Sequence, residues 1–353
     1  MKRLAAATLL ACCASTAYAL DGAWTASYDK EEGDRVYLQM TRGRTHNLGT
    51  TMSLRALNGL SPEAIRAATA TPVQFELRRE AGDTTFEGTF RDGKGAGQFS
   101  FLPHPAFLEA VRALGIEAGK PRHGKSWDED EQLFSLALCD VSVAYIKSMI
   151  AEGYRLSLED YQSMRIFDVT PEYIREMRDL GFEKVSHDEL VATKIHGVTP
   201  SYIRQMRKSG WDLSLDDYQA NKIHGVTPAF AEQMQALGFR DLSHDDLMGF
   251  RIHGVTPEFI REMGELGYKD LSADDLLAFR IHGVTREFVR ELRALGYEDV
   301  EADDLIAARI HGVTPAFIRE VEEAGYHKVP FDKLISLRIS GIDAKTLERM
   351  RVY

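Results

Sequence analysis

The sequence predicts an α+β protein: a small N-terminal β-rich module followed by an α-solenoid of about eight 29-residue two-helix repeats. A motif, RIHGVTPEFI from Arg251, recurs at a fixed spacing through the last two thirds of the chain. Fixed periods of about 20–50 residues are typical of stacked repeat units. Before the repeats, apolar and polar residues alternate, which is typical of strands. We therefore predict a leader at residues 1–19, the β-rich module at 20–103 and the solenoid at 104–353.

The first part of the chain has the composition of an export signal. Two basic residues precede a short apolar run, and Ala17-Tyr18-Ala19 has the A-x-A pattern of a cleavage site. The run is shorter than the ~20 residues that a membrane span requires. We expect cleavage before Leu20 and a periplasmic or secreted location. A second interpretation stays open, because Leu9-Leu10-Ala11-Cys12 resembles a lipobox and would place a lipid anchor on Cys12.

Charge and cysteine content exclude several classes of protein. The formal net charge is −11 and no basic block is present, so we expect no nucleic-acid partner. No segment after the leader is long and apolar enough for a transmembrane span. Cys139 is the only cysteine after the leader, so no internal disulfide is expected.

The β-rich module is predicted from residues of strand propensity at 23–28, 35–40, 73–77, 84–90 and 98–101. A glycine-rich turn at residues 92–97 predicts a hairpin, and it lacks the following helix that a phosphate-binding loop requires. Ser61 and Pro62 predict the start of a short helix. The predicted core of the module consists of Trp24, Tyr37, Phe75, Phe86 and Phe90.

Each repeat is predicted to contain two short helices. Thr256 suits the N-cap of the first, with Pro257 in its first turn, and Gly267 suits a left-handed end. Ser272 starts the second helix, which Gly283 ends. We call the glycine of HGVTP, or its equivalent, the node. The nodes are Asp140, Asp168, Gly197, Gly225, Gly254, Gly283, Gly312 and Gly341.

Comparison of the copies predicts which positions form the joints between helices. Five residues before the node the side chain is always small, which predicts a close approach of helices. Two residues before it isoleucine recurs, and we predict that it fills the seam between helices. Two series of recurring aromatic residues are in phase with the aliphatic core, so we interpret them as core. The predicted joint residues are Ile252, His253, Gly254, Thr256, Pro257, Phe259, Gly283, Thr285, Gly312, Thr314 and Pro315.

Histidines precede five nodes, at His196, His224, His253, His282 and His311. Neighbouring helices lie about 8–10 Å apart, whereas two zinc ligands must each lie ~2.0–2.1 Å from the metal. Equivalent histidines therefore cannot share an ion, and we expect neither a metal site nor another cofactor. We interpret them as helix C-terminal residues that the helix dipole favours. A pH-sensing role stays open as a hypothesis.

A basic residue lies three positions before seven of the nodes. These residues predict ion pairs with the acids that start the second helices. The alternative is a basic stripe that binds an anionic partner.

No nucleophile, base and acid occur in a catalytic pattern, so we expect no enzyme activity. The sequence instead predicts a non-enzymatic scaffold that binds a protein or peptide of the cell envelope, because solenoids form extended binding surfaces. The alternative is a small-molecule or glycan receptor that uses the β-rich module. The candidate binding face combines positions that vary between copies with three of the basic residues: Met164, Thr193, Asn221, Phe250, Phe279, Ala308, Leu337, Arg251, Arg280 and Arg309. The alternative is that the varying positions are surface that tolerates substitution.

The motif RIHGVTPEFIRE, with Leu-Gly-Tyr and Leu-Ser-x-Asp-Asp-Leu, resembles the exported repeat segments of proteobacterial proteins related to BlaR-type membrane metallopeptidases. The resemblance covers residues 105–350. The peptidase motif H-E-x-x-H of that family is absent from this chain. The resemblance therefore implies an envelope location and a role in sensing or regulation, and not peptidase activity.

Overall fold

The computed structural model describes residues 20–28, 34–42, 46–118 and 128–351. The predicted leader, its cleavage site and Cys12 lie outside the described residues. The chain divides into two compact units, Met1–Lys194 and Ile195–Tyr353. The first unit contains a sheet and the first repeats, and the second contains repeats only. The architecture is α+β with helical repeats, as predicted.

Seven antiparallel strands form one sheet in the order β3-β2-β1-β7-β6-β5-β4. Two meanders are joined where β1 pairs with β7. The helix α1 (Pro62–Arg66) follows Ser61, whose hydroxyl accepts the N–H of Ala64 as predicted. The strands are β1 (Leu20–Tyr28), β2 (Arg35–Arg42), β3 (His46–Ser53), β4 (Leu57–Asn58), β5 (Thr71–Arg79), β6 (Gly82–Arg91) and β7 (Lys94–Pro103).

The sheet curls around one aromatic face. The ring of Trp24 lies 5.4 Å from that of Phe75 and 5.6 Å from that of Phe90, between ring centroids. Its Nε1–H donates to the main-chain oxygens of Glu87 and Gln98 at 3.2 and 3.1 Å. The buried indole therefore has its polar group satisfied. The predicted core is confirmed at Trp24, Phe75, Phe86 and Phe90.

The prediction for Tyr37 was wrong, because its side chain is 44% exposed. In β2 the neighbouring Val36 and Leu38 are buried. Side chains of a strand alternate between its two faces, so burial of these aliphatic residues places Tyr37 on the outer face. The strands β3 and β4 were not predicted. The sequence of β3 contains asparagine and glycine, which have low strand propensity.

The predicted hairpin joins β6 to β7 through Asp92 and Gly93, with φ of 50° and 80°. Two left-handed residues are typical of a type I′ turn. The strand β7 begins earlier than predicted, so Gly97 lies within it. A Cβ at Gly97 would lie 1.9 Å from the oxygen of Glu87, so glycine permits a close strand approach there.

The repeats consist of first helices and second helices in alternation. The first helices are α2 (Ala106–Ala113), α4 (Val143–Ala151), α6 (Pro171–Asp179), α8 (Pro200–Lys208), α10 (Pro228–Ala236), α12 (Pro257–Glu265), α14 (Arg286–Ala294), α16 (Pro315–Glu323) and α18 (Ala344–Arg351). The second helices are α3 (Glu129–Leu138), α5 (Leu158–Ile166), α7 (His187–His196), α9 (Leu215–Ile223), α11 (His244–His253), α13 (Ala273–His282), α15 (Ala302–His311) and α17 (Phe331–Ile339). None of the described helices alone has the length and apolarity of a membrane span, although the bent pair α3–α4 does together.

The helix ends follow the predicted pattern. Thr256 accepts the N–H of Phe259 at 3.2 Å, and Pro257 follows in the first turn of α12. Ser272 and Asp275 form a reciprocal capping box at the start of α13, and Gly283 ends that helix with a φ of 73°. The threonine cap recurs at Thr170, Thr199, Thr227, Thr285 and Thr314.

From α11 to α17, neighbouring second helices approach one another more closely than the first helices of Ile195–Tyr353 do. At Gly249 in α11, a Cβ would lie 3.3 Å from Cδ2 of Leu277 in α13. The small side chain therefore lies where neighbouring second helices pack, as predicted. In the first unit, the equivalent Ser135 accepts a hydrogen bond from Nε2 of Gln162 at 2.6 Å.

Candidate functional site

The predicted recognition positions four residues before the node are core positions, and this prediction was wrong. In α13, Phe279 follows the buried Leu276 by three residues, so both lie on the same buried helix face. Differences between copies at this position change interior contacts, as where Asn221 Oδ1 lies 2.9 Å from Nε2 of His244. Leu337 is half-buried. The completely buried positions are Met164, Thr193, Asn221, Phe250, Phe279 and Ala308.

The isoleucine two residues before the node does not fill the seam, contrary to the prediction. All seven copies are exposed, by between 51% and 61%. The seam is filled by the residue after the node, as shown by Val284, which is buried and donates its N–H to the oxygen of Phe279 at 2.7 Å. A branched aliphatic residue follows every node in the sequence, and this signal identifies the true seam position. The exposed residues are Ile166, Ile195, Ile223, Ile252, Ile281, Ile310 and Ile339.

Within Ile195–Tyr353 these residues form a surface that we call the isoleucine ladder: Ile195, Ile223, Ile252, Ile281, Ile310 and Ile339. They recur at the same position of consecutive second helices, and the second helices from α11 to α17 lie side by side. One turn earlier on the same face, three of these helices carry a half-buried apolar residue. The pairs are Met248 with Ile252, Leu277 with Ile281, and Ile306 with Ile310. On these three helices the apolar surface therefore extends along the helix as well as across the row.

A basic side chain connects each repeat to the one before it. The guanidinium of Arg280 lies 5.0 Å from the ring centroid of Phe259 in the same repeat, and its Nε–H donates to the oxygen of His253 in the preceding repeat at 3.2 Å. We call this arrangement the basic clamp. It recurs as Arg165 on Tyr145, Lys194 on Tyr173, Lys222 on Tyr202, Arg251 on Phe230, Arg309 on Phe288 and Arg338 on Phe317.

The basic clamp corrects the predicted lattice of ion pairs. In Ile195–Tyr353 the clamp partners are rings and carbonyl oxygens, and acids such as Asp275 cap their own helix. Ion pairs to the node occur in the first unit, where Arg165 pairs with Asp140 and Lys194 with Asp168. The candidate residues Arg251, Arg280 and Arg309 are exposed, so their charge lies beside the isoleucine ladder.

The node histidines lie at helix ends. The main-chain oxygens of His253, His282 and His311 accept hydrogen bonds from clamp arginines. Within the described part of the chain, no three side chains converge as metal ligands. The pH-sensing role stays a prediction.

A second surface is a cleft of about 640 Å³ in the first unit. Residues of β3 form one side, and the C-terminal ends of α3 and α5 form the other. Arg79 lies at the cleft with its Nε 2.9 Å from Oδ1 of Asp140. Burial raises the pKa of the Cys139 thiol there, which disfavours the nucleophilic thiolate.

No protein-family model matches this chain, and no curated protein or solved structure is significantly similar to it. The resemblance to exported segments of BlaR-type proteins therefore stays a prediction.

Proposed function

We propose that this chain is a non-enzymatic scaffold of the cell envelope that binds a protein or peptide on its helical-repeat surface. The isoleucine ladder is the observation that supports this proposal. A solvent-facing position of a helix is ordinarily polar, yet here isoleucine occupies it in six consecutive repeats. Large exposed apolar patches are rare on monomeric soluble proteins, and they are typical of interaction surfaces.

The surroundings of the ladder indicate the chemistry of the partner. Each isoleucine of the ladder adjoins a basic clamp residue, as Ile281 adjoins Arg280. A partner with apolar side chains and acidic flanks is therefore complementary to this surface. Neighbouring helices lie about 8–10 Å apart, and a polyproline II segment advances about 3.1 Å per residue with three residues per turn. A segment of this conformation with an apolar residue at every third position would therefore meet successive isoleucines of the ladder.

The location and biological role rest on the sequence. The predicted leader supports export, and the resemblance to BlaR-type exported segments supports a role in sensing or regulation. The scaffold would then present its ladder to partners in the periplasm or outside the cell.

The proposal is tested by changing three isoleucines of the ladder in residues 20–353, which is the chain without its predicted leader. The triple variant Ile252→Thr, Ile281→Thr, Ile310→Thr keeps branched side chains and changes exposed positions, so we expect the free energy of unfolding to change by less than about 1.5 kcal/mol in total. Envelope extract is passed over the wild-type chain and the variant. We expect partners retained by the wild type to be lost from the variant.

The matched control is Arg261→Thr, Arg290→Thr, Arg319→Thr, which changes exposed positions of three first helices in the same repeats. This control is expected to retain the partners. The proposal is wrong if the wild type retains no protein, or if the ladder variant retains the same proteins as the wild type.

A further inference from the structure

One edge of the sheet is long and unpaired. Among the described strands, the eight-residue β3 pairs only with β2, whereas the opposite edge is the two-residue β4. Natural proteins protect edge strands by making them short, or with charged residues, proline or bulges. The edge at β4 is short, but residues 47–53 of β3 contain no charge and no proline.

The hydrogen-bond pattern identifies the free groups on this edge. The N–H of Leu54 donates to the oxygen of Asp34 at 2.9 Å, and the same register continues through Met52 opposite Val36. Hydrogen-bonded and non-hydrogen-bonded pairs alternate along an antiparallel ladder. Gly49 and Thr51 therefore direct their main-chain N–H and C=O away from β2, to the free edge.

These free groups line the cleft of about 640 Å³. Residues 49–52 of β3 form one wall, and Gln162 and Arg165 of α5 contribute to the other. Its volume lies in the range of about 300–1,000 Å³ that is typical of ligand sites. A paired strand would lie about 4.8 Å from β3. An added strand would lie between β3 and the helix ends on the other side of the cleft.

The charges of the cleft indicate a preference. Arg79 and Arg165 both pair with Asp140, at 2.9 and 3.0 Å. Arg35 is exposed at the cleft and forms no ion pair with the described residues. A carboxylate of the ligand is therefore complementary to Arg35.

We propose that the free edge of β3 binds an extended peptide as an added antiparallel or parallel strand, with an acidic residue near Arg35. The main chain of the peptide would satisfy the outward N–H and C=O of Gly49 and Thr51, in the manner of β-strand addition. The cleft side chains Gln162 and Arg165 would then contact alternate side chains of the peptide. This site is separate from the isoleucine ladder and does not depend on it.

The test uses a displayed library of linear dodecapeptides, selected on residues 20–353 and counter-selected on the variant Thr51→Pro. Proline removes an N–H that points to the cleft and not to β2, so edge proline is compatible with the sheet. Thr51→Val is the matched control, because it keeps the N–H. We expect the selected peptides to bind the proline variant about tenfold more weakly and the valine variant within about twofold. We also expect them to carry an acidic residue, whose replacement weakens binding to the wild type more than to Arg35→Gln.

A second measurement uses wild-type protein only, so it does not depend on folding of the proline variant. Single N-methyl groups are placed along a selected peptide. Strand addition predicts that binding is lost at every second position, because alternate N–H groups face β3. The proposal fails if no peptide is enriched against the counter-target, if Thr51→Pro and Thr51→Val bind equally, or if N-methylation shows no alternation. Self-association that Thr51→Pro abolishes would assign the edge to a second copy and would equally overturn it.

Discussion

At the scale of single residues, the node determines where each second helix ends. Gly283 has a φ of 73°, a conformation that costs L-residues about 1–2 kcal/mol. A Cβ there would also lie 2.9 Å from Nη2 of Arg309, so the basic clamp would have to shift. We expect Gly283→Ala to lower the free energy of unfolding by about 1–2 kcal/mol in urea titration.

The matched control for this change is Gly264→Ala in α12. Gly264 is a helical glycine without a left-handed φ, and no atom lies within 4 Å of a Cβ placed there. Alanine loses less conformational freedom on folding, so this variant is expected to gain about 0.5–1 kcal/mol. Equal effects of the two variants would contradict a backbone requirement at the node.

At the scale of single helices, the caps explain why a short segment is helical. The helix α15 differs from its neighbours, because Glu301 occupies its N-cap and forms no side-chain cap. Its third residue, Asp304, corresponds to Asp275 of the capping box in α13. We expect Glu301→Ser to raise the free energy of unfolding by about 1 kcal/mol, measured by urea or thermal unfolding.

The reciprocal variant Ser272→Glu removes the capping box from α13. It is expected to lower the free energy of unfolding by a similar amount, about 1 kcal/mol. If both variants change stability in the same direction, the cap is not the cause.

Local features of the helices could be predicted from the sequence, and features that depend on packing could not. The cap at Thr256 and the left-handed Gly283 require only residues close in the chain, and both predictions are confirmed. Burial at Ile281 and Phe279 depends on how neighbouring helices stack, and both assignments were wrong. The recurrence of isoleucine two residues before the node showed that this position is restricted almost entirely to one residue type. It did not show whether the side chain faces the core or solvent.

The same limit applies to the sheet and to the cleft. The register of β2 decides that Tyr37 faces outward, and β3 was recognisable only through its pairing with β2. The cleft joins residues of β3 to residues of α5 that are far away in the sequence. No sequence motif connects these two segments, so the cleft could not be predicted from the sequence.

At the scale of the whole molecule, buried and half-buried tyrosines in both units link stability to pH. Burial raises the pKa of Tyr202 to about 12, and it raises the pKa of the tyrosines at positions 145, 154, 161, 173, 268 and 297. The ordinary tyrosine pKa is about 10. The folded state therefore keeps these protons when the unfolded state loses them. The protonated tyrosines therefore stabilise the folded state fully below a pH of about 10, and this stabilisation is lost as the pH rises towards about 12.

We expect the thermal unfolding temperature to fall steeply above pH of about 10. Tyr202→Phe should make this fall less steep, although it removes the hydrogen bond from the hydroxyl to the oxygen of Val226. Phenylalanine is native at the equivalent Phe230, so the variant is compatible with the fold. The control is Tyr37→Phe at an exposed position. If the unfolding temperature of Tyr202→Phe falls with pH as steeply as that of the wild type, the raised pKa of Tyr202 is not a cause of the fall.

All the described basic clamps have the same polarity along the chain. The base and the ring belong to one repeat, whereas the main-chain oxygen that the base contacts belongs to the repeat before it, as with Arg280, Phe259 and His253. The C-terminal end of each such second helix therefore receives this contact only when the next repeat has been synthesised. A duplicate of residues 255–283 inserted after Gly283 would supply one new ring and one new base. Evolution or design could thus lengthen the array by whole repeats without altering any joint.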